Sequence, residues 1–138
     1  MHIAFDTSAL VKRYVHERGT PRVLELCAKA TEITFSVLCV PETLSALNRL
    51  RREKRLSSDE YDMAKGKLAA DTAHATVTEI SSSLLSRTTD VLESTTLRAL
   101  DAIQVATAIE SRCDLFVSAD APQCEAAVAL GLRTELIR

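Results

Sequence analysis

Glycine and proline are scarce in this sequence, which contains three of each among 138 residues. This scarcity excludes a collagen-like repeat and a low-complexity, disordered chain. Hydrophobic residues make up 46% of the chain and charged residues 26%, a balance typical of a globular, helix-rich protein. A chain of this length can bury a sizeable core as one compact unit, so we expect a single domain over residues 1–138.

Long apolar segments and secretory features are missing as well. The sequence has no run of about eighteen apolar residues, the length of a membrane span. Asp6, Lys12 and Arg13 interrupt the N-terminal segment before a signal-peptide core could form. We therefore expect a soluble, cytoplasmic protein with no membrane partner. The four cysteines include no Cys-x-x-Cys pair, and we interpret them as reduced, buried side chains.

A large excess of charge of one sign is also absent, because 17 basic and 19 acidic residues give a formal net charge of -2. A protein that binds nucleic acid through bulk electrostatics would be basic. Any nucleic-acid partner must therefore be held locally. Bound divalent cations would reverse the sign of the charge that a polyanion meets.

Five short, apolar, β-rich runs alternate with stretches of helical period, at residues 3–5, 33–37, 76–80, 115–118 and 134–137. This alternation predicts an α/β fold with a mostly parallel, Rossmann-like sheet of about five strands, flanked by helices on both faces.

Helix boundaries can also be predicted from local chemistry. Ser57 and Glu60 form a capping box that predicts a helix from Ser58. Further helices are predicted over residues 97–111 and from Pro122 to a stop at Gly131.

Three acids lie where such a fold would place a ligand site. Asp6 and Asp120 each follow a predicted strand, and Glu42 lies in the first turn of a helix after another. In open α/β sheets, ligands bind outside the carboxyl ends of the strands. Each acid also suits a purely structural role, as a helix N-cap or as a partner of the helix dipole.

Asp101 interrupts an apolar helical stripe, since it shares a face with Leu97, Val105 and Ala108. An ionised carboxylate buried without a partner is costly. A salt bridge to Arg98, or a place at the edge of the stripe, would relieve that cost. A metal-facing role is favoured because carboxylate oxygens suit Mg²⁺ or Mn²⁺.

Other catalytic arrangements find no support. The three histidines have no common metal spacing, and neither a Ser-His-Asp order nor a glycine-rich phosphate loop occurs. What remains is carboxylate chemistry, in which divalent cations activate a water and neutralise phosphate oxygens.

Four segments together resemble the PIN-domain family, and the chain length resembles its VapC-type toxins, the ribonucleases of bacterial and archaeal toxin–antitoxin pairs. The resemblance spans nearly the whole chain, and the third segment is the most specific. In chain order the segments are Phe5-Asp6-Thr7-Ser8-Ala9-Leu10, Pro41-Glu42 with Ser45-Ala46-Leu47, Leu100-Asp101-Ala102-Ile103-Gln104-Val105-Ala106-Thr107-Ala108, and Phe116-Val117-Ser118-Ala119-Asp120.

The resemblance implies a PIN-like fold and an endoribonuclease that depends on Mg²⁺ or Mn²⁺. It implies four catalytic acids, Asp6, Glu42, Asp101 and Asp120. Asp6 and Asp101 would be direct metal ligands, Asp120 a further ligand, and Glu42 would complete the cluster. Ser8 and Ser118 would be supporting hydroxyls. The implied partners are an RNA substrate, a small cognate antitoxin that occludes the cleft, and a second copy of the chain.

The last segment departs from the family pattern. Ser118 stands where threonine is common, and Ala121-Pro122-Gln123 follows where basic residues are frequent. Neither change removes an acid, but both concern the substrate contacts beside Asp120.

The densest basic segment contains Arg49, Arg51, Arg52, Lys54 and Arg55. Arg49 follows Glu42 by seven residues, which predicts the same helix face about 10 Å further along the axis. We interpret Arg49, with Arg52, as a candidate RNA contact. The alternative is that these cations complement the negative end of the helix.

Two other functional classes remain open. The first is an inactive PIN-fold binding or dimerisation module, which sequence alone does not separate from the enzyme. The second is another acid-dependent α/β phosphohydrolase. A haloacid-dehalogenase-like enzyme would need a second aspartate at Ser8, and a response-regulator receiver would need adjacent acids near the first strand and a lysine after the fifth.

Overall fold

The computed structural model describes all 138 residues. Five strands form one sheet: β1 (His2–Phe5), β2 (Glu32–Ser36), β3 (Thr76–Thr78), β4 (Leu115–Ser118) and β5 (Thr134–Leu136). The helices are α1 (Thr7–Leu10), α2 (Thr20–Lys29), α3 (Cys39–Arg52), α4 (Ser58–His74), α5 (Ser82–Ser94), α6 (Ala99–Ser111) and α7 (Ala121–Ala129), and a 3₁₀ turn covers Val11–Arg13.

All neighbouring strands are parallel, and their order across the sheet is β3-β2-β1-β4-β5. The predicted α/β class and the five strands are thus confirmed. Strand bounds differ by up to two residues, since β3 ends at Thr78 and not at Ile80.

Both faces of the sheet are covered, as predicted. Successive side chains of a strand point to opposite faces. Ile3 and Phe5 belong to one core with Val23 of α2, whereas Ala4 belongs to a second core with Val105 of α6. Because β1 and β4 are buried on both faces, most of their residues are apolar: Ile3-Ala4-Phe5 in β1 and Leu115-Phe116-Val117 in β4.

Most predicted helix ends are confirmed. The Ser57 hydroxyl accepts from the backbone N–H of Glu60, whose carboxylate accepts from the N–H of Ser57, at 3.0 Å each. Helix α7 is followed by Gly131 in the left-handed region. Helix α6 begins two residues later than predicted, at Ala99. The Leu97 N–H is bound by the Thr95 hydroxyl instead, a local bond that competes with helix formation.

The strand order places a crevice between β1 and β4. The chain moves outward from β1 through β2 to β3, and then crosses to β4 on the other side of β1. The crossover connections therefore diverge between β1 and β4, which opens the sheet edge at their carboxyl ends. Asp6 directly follows β1, and Asp120 lies two residues after the end of β4.

The helices and the cysteines bear on the predictions about membrane spans and buried thiols. No helix has both the length and the apolar character needed to cross a membrane. All four cysteines are unpaired. Cys39 and Cys124 are buried, but Cys27 and Cys113 are partly exposed, so burial was predicted correctly for two of the four cysteines.

Candidate active site

Asp6 lies at the carboxyl end of β1 and is only 1% exposed. It caps α1, because its Oδ1 accepts from the Ala9 N–H at 3.0 Å. Ser8 donates to its carboxylate at 2.8 Å and Ser118 at 2.7 Å. Burial raises the pKa of Asp6 to about 6; hydrogen bonds from Ser118, Ala9 and Ser8 oppose the rise, and the charge of Asp120 adds to it. No cation contacts this carboxylate.

Ser8 and Ser118 join the ends of β1 and β4 around Asp6. Their hydroxyl oxygens lie 3.3 Å apart. The Ala119 N–H donates to Ser8 at 2.9 Å, and the Asp120 N–H donates to Ser118 at 3.0 Å. Both residues therefore hold Asp6 and connect it to the loop that carries Asp120.

Glu42 enters the site from the first turn of α3. Its Oε1 accepts from the Thr7 hydroxyl at 2.7 Å and from the Gln104 amide at 3.0 Å. The Gln104 amide also lies 3.2 Å from the Thr7 hydroxyl oxygen. Glu42 is thus held by residues from α1 and α6, while its Oε2 has no hydrogen-bond donor.

Asp101 is the third residue of α6 and is partly exposed. It forms no ion pair with Arg98, so the salt-bridge alternative is wrong. Its Oδ1 accepts from the Gln123 side-chain amide at 3.1 Å. Burial raises the pKa of Asp101, as do the charges of Asp120 and Glu42, and the Arg98 charge opposes them.

Asp120 follows β4 and caps α7, with Oδ1 accepting from the Gln123 N–H at 3.3 Å. The structural role considered for Asp6 and Asp120 is therefore real, because both are N-caps. It does not exclude a second role, since both carboxylates also face the same cleft.

The four predicted acids do come together. They line one cleft of about 270 Å³ at the carboxyl edge of the sheet, together with Thr7, Ser8, Val11, Ala46, Gln104 and Gln123. No lysine, arginine or histidine is among these residues. The hydrogen-bond donors to the acids are neutral hydroxyls, amides and backbone N–H groups. No cationic side chain within the cleft therefore balances its negative charge.

The donor set suits a hard divalent cation, but the carboxylates do not form a ready-made metal centre. No three His, Cys, Asp or Glu side chains meet closely enough to hold a metal ion. Mutual repulsion of like charges favours such separation. One oxygen each of Glu42, Asp101 and Asp120 receives no hydrogen bond, whereas both oxygens of Asp6 accept two.

Several residues of the site were not predicted from the sequence. Thr7, Gln104 and Gln123 each donate to an acid. A polar residue within the buried part of α6 was the available indication for Gln104, three residues after Asp101. The sequence marked Gln123 only as part of a departure from the family pattern, and nothing local indicated its bond to Asp101, which lies 22 residues away.

A larger groove of about 540 Å³ adjoins the cleft and shares Asp101 and Asp120 with it. Arg98 is the one cation that lines this groove. Arg49 and Arg52 are exposed and do not line the cleft. Ala46 does line it, and Arg49 lies about one turn further along α3.

A third cavity lies away from the cleft that the four acids line. It measures about 250 Å³ and contains Cys27 of α2 and Asp71 of α4 in its lining. Arg13 donates to Asp71 through two bonds of 2.6 and 3.0 Å, and the Tyr14 hydroxyl donates to the same carboxylate at 2.7 Å. This network ties α4 to the segment that follows α1.

The family model of the PIN domain matches residues 3–129, so the chain belongs to the PIN-domain family. Among solved structures it is similar to VapC20 from Mycobacterium tuberculosis, a toxin that cleaves the sarcin–ricin loop, with 17% identity, a TM-score of 0.69, and 94% of this chain and 95% of that chain covered. It is also similar to a chain of a toxin–antitoxin complex from Klebsiella pneumoniae (21% identity, TM-score 0.63, 88% of each chain).

A third similar structure is VapBC2 from Rickettsia felis bound to a DNA fragment from its promoter, with 15% identity, a TM-score of 0.69, and 99% and 98% coverage. No curated protein matches the sequence. The resemblance noted from the motifs is thus confirmed at the level of family, and the structural likenesses show the fold.

Proposed function

We propose that this chain is a metal-dependent endoribonuclease and the toxin component of a type II toxin–antitoxin pair, with residues 1–138 forming one nuclease domain that acts in the cytoplasm. The observation that carries the proposal is the convergence of Asp6, Glu42, Asp101 and Asp120 on one cleft without any cationic side chain. Family membership supports it. The biological role is supported by one similar structure of a toxin that cleaves the sarcin–ricin loop and by another of a toxin–antitoxin complex.

Asp6, Asp101 and Asp120 would hold Mg²⁺ or Mn²⁺, and Glu42 completes the cluster. A bound divalent cation would activate water and neutralise the charge on phosphate oxygens. Ser8 and Ser118 keep the Asp6 carboxylate in one orientation through three short bonds. Glu42 Oε2 is the oxygen available to accept a proton from the attacking water, because Oε1 is already bound by Thr7 and Gln104.

We assign the RNA path to the surfaces on either side of the acids. Arg49 and Arg52 lie beyond the Glu42 side of the cleft and form no ion pair. Arg98 lines the adjoining groove, which shares Asp101 and Asp120 with the cleft. Few cations are thus placed where phosphates would pass, in keeping with the net charge of -2.

The experiment is cleavage of single-stranded and hairpin RNA by the purified chain, first in EDTA and then with Mg²⁺ or Mn²⁺ added. We expect cleavage only with the cation, and none by Asp101→Asn. The matched control is Asp62→Asn, which removes an exposed acid on α4 outside the cleft and should cleave like the wild type. DNA of the same sequence tests the choice of nucleic acid. Absence of metal-dependent cleavage of every RNA would leave a non-enzymatic PIN-fold module.

The antitoxin and the second copy of the chain have a separate test. An antitoxin that blocks the cleft would place a cationic side chain among the acids, where opposite charge is favoured. Co-expression with the adjacent small open reading frame should yield a complex that contains a dimer of this chain and has reduced nuclease activity. If neither co-purification nor inhibition is observed, the toxin–antitoxin role is wrong, even if the nuclease is confirmed.

A further inference from the structure

Gln123 is the one residue that forms hydrogen bonds with both Asp101 and Asp120. Its side-chain N–H donates to Asp101 Oδ1 at 3.1 Å, and its backbone N–H donates to Asp120 Oδ1 at 3.3 Å. It belongs to the first turn of α7, lines the cleft and is 4% exposed. Asp101 belongs to α6, so Gln123 fixes the relative position of acids on two separate elements.

The other half of the same amide is unsatisfied. Gln123 Oε1 is buried and has no hydrogen-bond donor. A buried acceptor without a partner is unfavourable, and such groups are rare in folded proteins. A methionine would fill a similar volume without this penalty, although it would lose the bond to Asp101. The hydrogen bonds of the metal-free cleft therefore account for the amide nitrogen of Gln123 but not for its oxygen.

The contrast with Gln104 supports this reading. Gln104 is equally buried and binds Glu42 on the other wall of the cleft, but both ends of its amide have partners: Nε2 donates to Glu42, and Oε1 accepts from the Cys39 thiol at 3.5 Å. The unpaired oxygen is therefore particular to the glutamine beside Asp101 and Asp120.

A half-turn of the Gln123 amide exchanges its nitrogen and oxygen. Oε1 would then face Asp101 Oδ1, and two acceptors would repel each other when no cation lies nearby. A divalent cation bound to Asp101 would reverse the preference, because amide carbonyl oxygens, like carboxylates, are ligands for hard cations. The cation state of the cleft thus decides which end of the amide faces Asp101.

We propose that Gln123 is a cation-dependent positioning residue: its N–H holds Asp101 beside Asp120 in the metal-free protein, and its Oε1 joins the oxygens that face a bound Mg²⁺ or Mn²⁺. This rests on the proposed metal-dependent function. It adds a neutral oxygen donor to the four acids, at Gln123, three residues after Asp120, where this chain departs from the family pattern.

The test is Mn²⁺ affinity of the metal-free chain, measured by calorimetry and by the loss of the free Mn²⁺ EPR signal, without RNA. Gln123→Met should bind Mn²⁺ about tenfold or more weakly, the usual effect of removing a partner of a metal ligand. Its unfolding free energy in EDTA should change little, since removal of the buried unpaired acceptor offsets the lost bond to the partly exposed Asp101. Gln104→Met is the matched control, and it should lose stability in EDTA because both ends of that amide are bonded.

Gln123→Glu separates an oxygen donor from a simple N–H donor. It keeps the oxygen and removes the N–H, so Mn²⁺ affinity should return to the wild-type value or exceed it, while the metal-free protein loses stability through repulsion from Asp101. Wild-type affinity in Gln123→Met would overturn the proposal. Equally weak binding by Gln123→Glu would overturn the oxygen role. A wild-type chain that binds no Mn²⁺ would instead refute the proposed function, and this inference with it.

Discussion

The buried carboxyl group of Asp6 makes the stability of the metal-free protein depend on pH. Its pKa is raised from 3.8 to about 6, mainly by burial. A raised pKa means that the folded state favours the neutral acid, so the ionised form destabilises the fold above about pH 6. The penalty decreases as the pH falls through 6 and disappears below 3.8.

The size of this effect follows from the shift. One pKa unit corresponds to about 1.4 kcal/mol, so a shift of about two units weakens the fold by about 3 kcal/mol at pH 7. At pH 4.5 the same relation leaves about 1 kcal/mol. Acidification from pH 7 to 4.5 should therefore restore about 2 kcal/mol on account of Asp6 alone.

Asp6→Asn isolates this contribution, because the amide is neutral at every pH. Urea unfolding of both proteins in EDTA, at several pH values between 7 and 4.5, gives the difference in unfolding free energy. Altered hydrogen bonds to Ser8 and Ser118 contribute a nearly constant offset. The pKa of Asp71 is lowered in the folded protein, so protonation of Asp71 in acid reduces stability. This loss is the same in both proteins.

We expect the wild type to gain about 2 kcal/mol relative to Asp6→Asn as the pH falls over this range. Saturating Mg²⁺ should stabilise the wild type by mass action and reduce the gain, since the cation favours the ionised acid. A difference that stays constant with pH, or that changes in the opposite direction, would refute the argument that burial dominates the environment of Asp6.

Three further predictions follow from single residues. Asp101→Asn should abolish RNA cleavage and leave the melting temperature in EDTA unchanged or higher, because it removes a repelled charge; a large loss would indicate a structural acid. Asp71→Ala should lower the unfolding free energy by about 2 kcal/mol at pH 7, since it leaves Arg13 and Tyr14 without their half-buried acceptor; a loss below about 0.5 kcal/mol would show a solvated pair. Arg49→Ala should weaken RNA binding similarly for all sequences and reduce the salt slope by about 0.7; unchanged slope and affinity would assign Arg49 to the helix end.

The sequence was enough to predict the strands and most helix ends, because these features depend on local chemistry. The four acids that line the cleft were predicted as a set from the family resemblance, since each acid alone also suited a structural role. Residues 115–118 form a strand because Leu115-Phe116-Val117 is an apolar, β-prone run between Asp114 and Ser118. Helix α4 begins at Ser58 because Ser57 and Glu60 bind each other's backbone N–H groups. Asp6 and Asp120 could be placed near a common edge because parallel strands end on the same side of a sheet.

The tertiary structure decided which neutral groups hold the acids and how far the acids stay apart. Gln104 reaches Glu42 across 62 positions in the sequence, and Gln123 reaches Asp101 across 22. Asp101 accepts a hydrogen bond from Gln123 and forms no ion pair with Arg98, although Arg98 is only three residues away. Helical spacing predicts which residues share a face of one helix. The packing of α6 against its neighbours determines which donor meets each carboxylate. That packing arises only when the crossover connections bring distant segments together.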